Sequence, residues 1–332
     1  MLSSYVVDVS RYQKKILPAL LRSKGVGAVI AKSSGSLSKD IKFDQHYTDC
    51  QKDEMPIAPY HWVDPIYYPE KQIDTFLSIN KGRNIFAYVL DIEQWWNNWD
   101  AWYKAVIKQI SWSAVPRIRP DLIAKHAKQC VDYLVSRADK SVILYTSYGF
   151  VTSYAQGMSE WLGDYSNWVA NYVVQSNKKL TLEWEDLVYY LPYGKTPLLP
   201  PGVTLKNMVG WQFTGDLISL PGTYYDDRAT ILSPIDLNLF SKEWLEKATG
   251  KTMPTAPITM PEGKDVAVKY SVSPWVTLGL RMREGPDLNS QIITVLKAGS
   301  ILDYAGKSKG MWKNVTWNDL SGWVHGSYIQ KI

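Results

Sequence analysis

The sequence predicts a mixed α/β protein in two parts. A (β/α)8-type barrel over residues 1–248 is joined by a linker over 249–265 to a small all-β barrel over 266–332. Three observations predict it. Short apolar runs alternate with helical patterns through the first 248 residues. Proline and threonine then interrupt every apolar period, and beyond them apolar residues recur at alternate positions. The 332 residues suit two domains, and 45% apolar with 21% charged residues excludes global disorder.

Strands are predicted at residues 5–9, 28–32, 57–62, 86–91, 142–146, 168–172 and 209–213, with a short last one near Ile235. Pro69-Glu70 opens a helix with Ile73, Phe76 and Leu77 on one face, and Pro120-Asp121 opens another with Ile123, Ala127, Cys130 and Leu134. Proline suits a first helical turn, and the acid after it complements the helix dipole. Residues 95–120 and 180–203 exceed a minimal barrel and read as insertions over one end. The first is rich in tryptophan (Trp95, Trp96, Trp99, Trp102, Trp112), and the second contains Tyr189-Tyr190. The helical spacing of Trp95, Trp99 and Trp102 favours a buried helix face over an exposed platform of rings. Pro254, Pro257 and Pro261 mark the linker as semi-rigid. Leu278, Leu280 and Met282 then alternate, Gly285-Pro286-Asp287 turns, and runs at 292–296, 301–304, 312–317 and 323–324 complete the β module.

The net charge of +5 is dispersed, which speaks against a nucleic-acid partner. No apolar run is long enough to span a bilayer. Residues 1–8 lack the basic and apolar regions of a signal peptide, so synthesis in the cytoplasm is expected. Cys50 and Cys130 are too few for a disulfide framework or a cysteine-based zinc site, and Cys130 is expected as a buried thiol. His61 sits between two aromatics as a core histidine, while His46, His126 and His325 show no ligand spacing, so no metal or cofactor is expected. The chain has 15 Trp and 22 Tyr against 6 Phe, an excess of amphipathic rings that suits carbohydrate faces as well as cores.

Acids fall at strand ends. Asp8 closes the first predicted strand, Asp91 and Glu93 close the fourth, and Asp236 closes the last. Residues two apart on a strand share a face, so Asp91 and Glu93 point together. Carboxylates crowded in one cavity cannot all ionise at their ordinary pKa. Glycoside hydrolysis uses such a set: one protonated acid serves the leaving oxygen and another carboxylate stabilises the positive centre. A lone D-x-E more often caps a helix or pairs with a lysine, and it is the convergence of four acids that favours catalysis.

Seven motifs then occur in order: Asp8-Val9-Ser10-x-Tyr12-Gln13, Tyr60-His61-Trp62, Leu90-Asp91-x-Glu93, Tyr145-Thr146-Ser147, Trp168-Val169-Ala170-Asn171-Tyr172, Trp211-Gln212-Phe213 and Ile235-Asp236-Leu237-Asn238. Over residues 1–248 they resemble the glycoside hydrolase family 25 muramidases. The resemblance implies an irregular β/α barrel cleaving the β-1,4 bond between N-acetylmuramic acid and N-acetylglucosamine in bacterial peptidoglycan. It implies Glu93 as general acid, Asp91 as the partner that steadies positive charge, and Asp8 and Asp236 as supporting carboxylates. Tyr60, Tyr145 and Tyr172 are implied sugar contacts, with Trp62, Asn171 and Trp211 as further substrate-binding candidates.

Leu280-Arg281-Met282-Arg283-Glu284-Gly285-Pro286 and Gly322-Trp323-Val324-His325-Gly326-Ser327-Tyr328-Ile329 resemble bacterial SH3 (SH3b) domains, which implies an SH3-like wall-binding module at 266–332. Nine basic and six acidic residues between 262 and 332 would favour an anionic wall. The expectation is a peptidoglycan hydrolase of phage or prophage lysin type, or a virion-associated one, with no obligate protein partner. Two other readings stay open here: a non-catalytic wall-binding or structural particle protein, and a glycosidase of another N-acetylated glycan such as chitin.

Overall fold

The structure is a computed structural model that describes residues 2–173, 182–183, 191–192, 195–256, 269–309 and 311–331. The chain divides into two compact units, Met1–Met260 and Pro261–Ile332. In the first unit the chain runs β1 (Leu2–Val9), β2 (Lys15–Ile16), α1 (Pro18–Ser23), β3 (Val26–Gly35), β4 (Ser38–Lys39), α2 (Phe43–Lys52) and β5 (Ile57–Trp62). It continues through α3 (Pro69–Asn80), β6 (Ala87–Asp91), α4 (Trp99–Val106), α5 (Pro120–Val135), β7 (Ser141–Ser147) and α6 (Tyr148–Tyr154). The remainder is β8 (Ser166–Ala170), β9 (Leu182–Glu183), β10 (Met208–Tyr224), β11 (Leu232–Ser241) and α7 (Lys242–Thr249).

Eight strands close a barrel in the order β1, β3, β5, β6, β7, β8, β10, β11, with β11 returning to β1. The first seven run parallel, as the alternation of apolar runs and helices predicts. The eighth differs. β11 is antiparallel to both β10 and β1, because a short turn leaves no crossover helix between β10 and β11.

Period-two alternation sorts the strand residues. Val6, Ala28, Ile30, Ala58, Ala87, Val89, Ile143, Trp168 and Phe240 form one buried cluster inside the barrel. Gly210 leaves room for it: a Cβ there would lie 2.5 Å from the Phe240 ring. The opposite faces pack under the helices. α5 buries Ile123, Ala127, Cys130 and Leu134, and α3 buries Ile73 and Phe76, with Leu77 packed partly against the same cluster. Both helices carry proline in the first turn, followed by Glu70 or Asp121. Among the described residues no helix is long and apolar enough to cross a membrane.

Residues 251–256, expected within the linker, instead strap the base of the barrel. Met253 and Ala256 are buried, Ser4 Oγ donates to the Pro254 carbonyl at 2.6 Å, and the Ala256 amide donates to the Ser3 carbonyl at 2.6 Å. Apolar Met253 and Ala256, on either side of Pro254, give this stretch something to bury, which a count of prolines overlooks. The rest of the expected linker, 257–265, lies outside the described residues.

The second unit is all-β: β12 (Lys269–Val272), β13 (Leu280–Arg283), β14 (Ile292–Leu296), β15 (Ile301–Lys309), β16 (Trp312–Trp317), β17 (Leu320–His325) and β18 (Ile329–Lys331). The order is β14-β13-β17-β16-β15-β12-β18, every pairing antiparallel. Val272, Leu280, Met282, Leu296, Leu302, Val315 and Val324 make its core. Leu278 does not join the predicted alternation. It precedes β13 and is 95% exposed.

Candidate active site

A cavity of about 580 Å³ opens where the parallel strands end, and Asp8, Asp91, Glu93 and Asp236 all line it. Asp8 is the penultimate residue of β1, Asp91 the last of β6, and Glu93 lies two beyond, on the same face. Asp236 arrives differently from the expectation. It lies mid-strand in β11 and reaches the same end because β11 runs backwards, in register with Asp8. The same two-residue alternation that fills the barrel with apolar side chains puts these four acids above that plug.

Burial raises all four pKa values. It pushes Glu93 from 4.5 to about 7, aided by Asp8 and opposed by Lys32. Asp8 also rises to about 7 through burial, against hydrogen bonds from Asn238 and Gln212. Asp91 lies well above its ordinary value through burial and the neighbouring Glu93, with Lys32 opposing. Asp236 is raised by burial, then by Asp8 and Asp216. Asp91 Oδ1 is buried with no hydrogen-bond partner among the described residues, an acceptor left open beside the cavity.

Three polar side chains outside the predicted site residues hold this set, two of them, Gln212 and Asn238, lying within the motifs. Gln212 Nε2 donates to Asp8 Oδ1 at 3.1 Å, while its Oε1 accepts from the Tyr145 and Tyr172 hydroxyls at 2.7 and 2.9 Å. Asn238 Nδ2 donates to Asp8 Oδ1 at 2.8 Å. Lys32 lines the cavity with Nζ 4.8 Å from the Trp62 ring centre and 5.7 Å from that of Tyr60. Its pKa is lowered by burial, against the pull of Asp91, Asp40 and Glu93. A signal existed for Lys32, since it continues the inward positions Ala28 and Ile30 of its strand, where a charge needs a reason.

The aromatic candidates divide. Tyr60, Trp62 and Tyr145 line the cavity, and Tyr172 reaches it through Gln212. Trp211 does not line it. The indole is 3% exposed, packs on Phe213 in the outer cluster and donates Nε1–H to the Asn171 carbonyl at 2.9 Å. Alternation on β10 explains this: Gln212 points in, so Trp211 and Phe213 point out. Asn171 does not line the cavity either, and its Oδ1 accepts from the Leu198 amide at 2.9 Å. His61 is a core histidine as expected, buried between Ser34 Oγ at 2.8 Å and Gln72 Oε1 at 3.0 Å.

The first insertion also departs from expectation. Trp95 precedes α4 and stacks on Tyr154 with ring centres 5.0 Å apart, so Trp95, Trp99 and Trp102 form no helix face. A β-bridge between Trp96 and Arg117 closes the base of the excursion. Trp99 and Trp102 line the cavity instead. Residues 180–181, 184–190 and 193–194 of the second insertion, Tyr189 and Tyr190 included, lie outside the described residues.

A β/α barrel that gathers four carboxylates, two of them two residues apart, over the ends of its parallel strands has the arrangement that glycoside hydrolysis uses. The family model for glycosyl hydrolases family 25 matches residues 7–222, and the chain belongs to that family. A bacterial SH3 domain model matches residues 278–330. No curated protein matches the sequence. Among solved structures, the catalytic domain of endolysin ply40 from bacteriophage P40 of Listeria monocytogenes is similar, at 18% identity over 75% of this chain and 98% of that one, TM-score 0.51. A family 25 glycosyl hydrolase from Bacillus anthracis is similar at 18% identity over 74% and 93%, TM-score 0.51. The Clostridium perfringens spore cortex lytic enzyme SleM is similar at 18% identity over 100% and 87%, TM-score 0.51. At such identities the likeness bears on the fold alone.

Proposed function

We propose that the protein is a muramidase that cleaves the β-1,4 bond between N-acetylmuramic acid and N-acetylglucosamine in bacterial peptidoglycan. The observation that carries this reading is the cavity itself, where a half-buried Glu93 titrating near 7 shares a wall with an Asp91 oxygen that has no partner among the described residues. Glu93 keeps its proton to near neutrality and delivers it to the glycosidic oxygen as the bond to C1 breaks. Asp91, in the ionised form that Lys32 favours, steadies the positive charge that develops on the muramic ring, and its unpartnered oxygen accepts the acetamido N–H of that sugar. Water then adds at C1 and returns a proton to Glu93, which restores the acid. Asp8 strengthens the hold of Glu93 on that proton, while Gln212 and Asn238 fix Asp8.

The SH3 unit tethers the barrel to an insoluble wall, adding affinity through effective concentration. Its surface supports this with ring contacts that run from Trp275 to Tyr328, His325 and Trp312 at 5.4–5.6 Å, Trp275 being 60% exposed. The pairing of a glycosidase barrel with such a module suits a phage or prophage lysin, or a virion-associated one, acting on the cell wall.

Mass spectrometry of purified peptidoglycan after digestion and borohydride reduction tests the reading. New reduced N-acetylmuramic acid ends are expected, absent with Glu93→Gln, which still pellets with walls. Intact glycan despite pelleting would leave the barrel a binding protein, and cleavage of chitin oligomers in preference would move the substrate.

A further inference from the structure

The tryptophan-rich insertion forms a wall of the same cavity, and its rings are held as a preformed surface. Trp99 is 42% exposed although Trp62, Trp96 and Trp102 surround it at ring-centre distances of 6.3, 5.3 and 5.5 Å. A cluster of this size could bury all of its indoles, and hydrophobicity alone favours that. A hydrogen-bond hub prevents it. Asp64, fully buried, accepts from Trp99 Nε1 at 3.3 Å, Ser36 Oγ at 2.6 Å, Gln94 Nε2 at 2.9 Å and the Ile66 amide at 3.0 Å. Gln94 Oε1 in turn accepts from Trp62 Nε1 at 2.9 Å. The insertion is thereby pinned to the β3–β4 turn and the β5–α3 loop, with Trp99 and Trp102 turned to the cavity.

The wall is continuous with the carboxylates. Lys32 Nζ, drawn toward Asp91 and Glu93, sits 4.8 Å from the Trp62 ring centre, and Trp62 leads on to Trp99. A ligand lying along the cavity from the acids therefore meets Trp62 first and Trp99 next.

We propose that Trp99, backed by Trp102 and Trp62, is a glycan subsite that stacks an N-acetylhexosamine flanking the cleaved bond, so that this insertion lengthens the run of sugars the enzyme grips. The chemistry fits: the C–H face of a pyranose packs on a flat indole, and its hydroxyls remain free at the ring edge for water and for polar side chains that also line the cavity, such as Ser38 and Lys39. Rings held in place before binding lose little freedom when a sugar arrives. The proposal rests on the muramidase reading of the cavity, and the test separates the two.

Peptide-free glycan strands of four, six and eight sugars are titrated calorimetrically into the full-length Glu93→Gln protein, which leaves them uncut. Affinity is expected to rise with strand length. In Glu93→Gln/Trp99→Ala the longest strand should bind about tenfold more weakly and the gain with length should vanish. Glu93→Gln/Trp99→Phe, which retains a ring, should keep most of it, and near-ultraviolet circular dichroism verifies folding of both. An undiminished gain with length in the alanine variant would overturn the subsite and leave the muramidase reading intact. Absence of binding at every length, together with no new muramic ends from the wild type, would overturn both.

Discussion

Replacing Glu93 by glutamine should stabilise the protein at alkaline pH while abolishing its activity. Folding takes this carboxyl from an ordinary 4.5 to about 7, chiefly through burial. A raised folded pKa means that the native state holds the proton more tightly than the unfolded chain. The contribution of Glu93 to stability is therefore fully present below about pH 4.5, declines as pH rises through the window to about 7, and is lost above it. The rise corresponds to roughly 3 kcal/mol at most. Glu93 is only half-buried at an open cavity, so solvent screening reduces this to about 1–2 kcal/mol. Glutamine has the same shape and no ionisation to oppose folding. Near pH 8 the variant should melt several degrees above wild type, at roughly 2–4 °C per kcal/mol for a domain of this size, and near pH 4.5 the two should coincide. Differential scanning calorimetry at both pH values measures this. A variant no more stable than wild type at pH 8 would refute the account of Glu93 as a strained acid.

The same proton sets the activity profile: turnover of soluble muropeptides should fall as pH rises through about 7, when Glu93 loses it, and constant turnover to pH 9 would exclude Glu93 as the acid. Gln212→Leu removes three hydrogen bonds around Asp8, Tyr145 and Tyr172, about 3 kcal/mol at roughly 1 kcal/mol each. Urea unfolding should show that loss, and the pKa of Asp8 should climb further as a donor disappears. Gly210→Ala places a methyl 2.5 Å from the Phe240 ring and should cost about 1–3 kcal/mol, relieved in part by adding Phe240→Leu, as thermal melts would record. Truncation after residue 260 should abolish wall pelleting and leave turnover of soluble fragments, whereas truncation after residue 252 should also lower the melting temperature by removing Met253, Pro254 and Ala256 from the barrel base.

Much of this molecule is legible along the chain because its signals are local. Alternating runs such as Ala87-Tyr88-Val89-Leu90-Asp91 set strands and their inward faces, and Pro-acid openings set α3 and α5. That periodicity also places Asp8, Asp91 and Glu93 at strand ends. What it left out depends on partners distant in sequence. The reversed β11 brings Asp236 to the acids through pairing with β1, more than two hundred residues away, and no local period encodes strand direction. Trp211 and Asn171 fell outside the cavity because motif membership names a neighbourhood and alternation decides the face. Trp99 was read as helix core, yet a hydrogen bond to Asp64, set on another loop, turns it to the cavity. The sequence alone determined the family, the two parts of the chain and the identity of the four acids, since each rests on local pattern and motif. Their convergence, their shared protons and the tryptophan wall beside them required the closed barrel, because burial and long-range hydrogen bonds exist only once the strands have met.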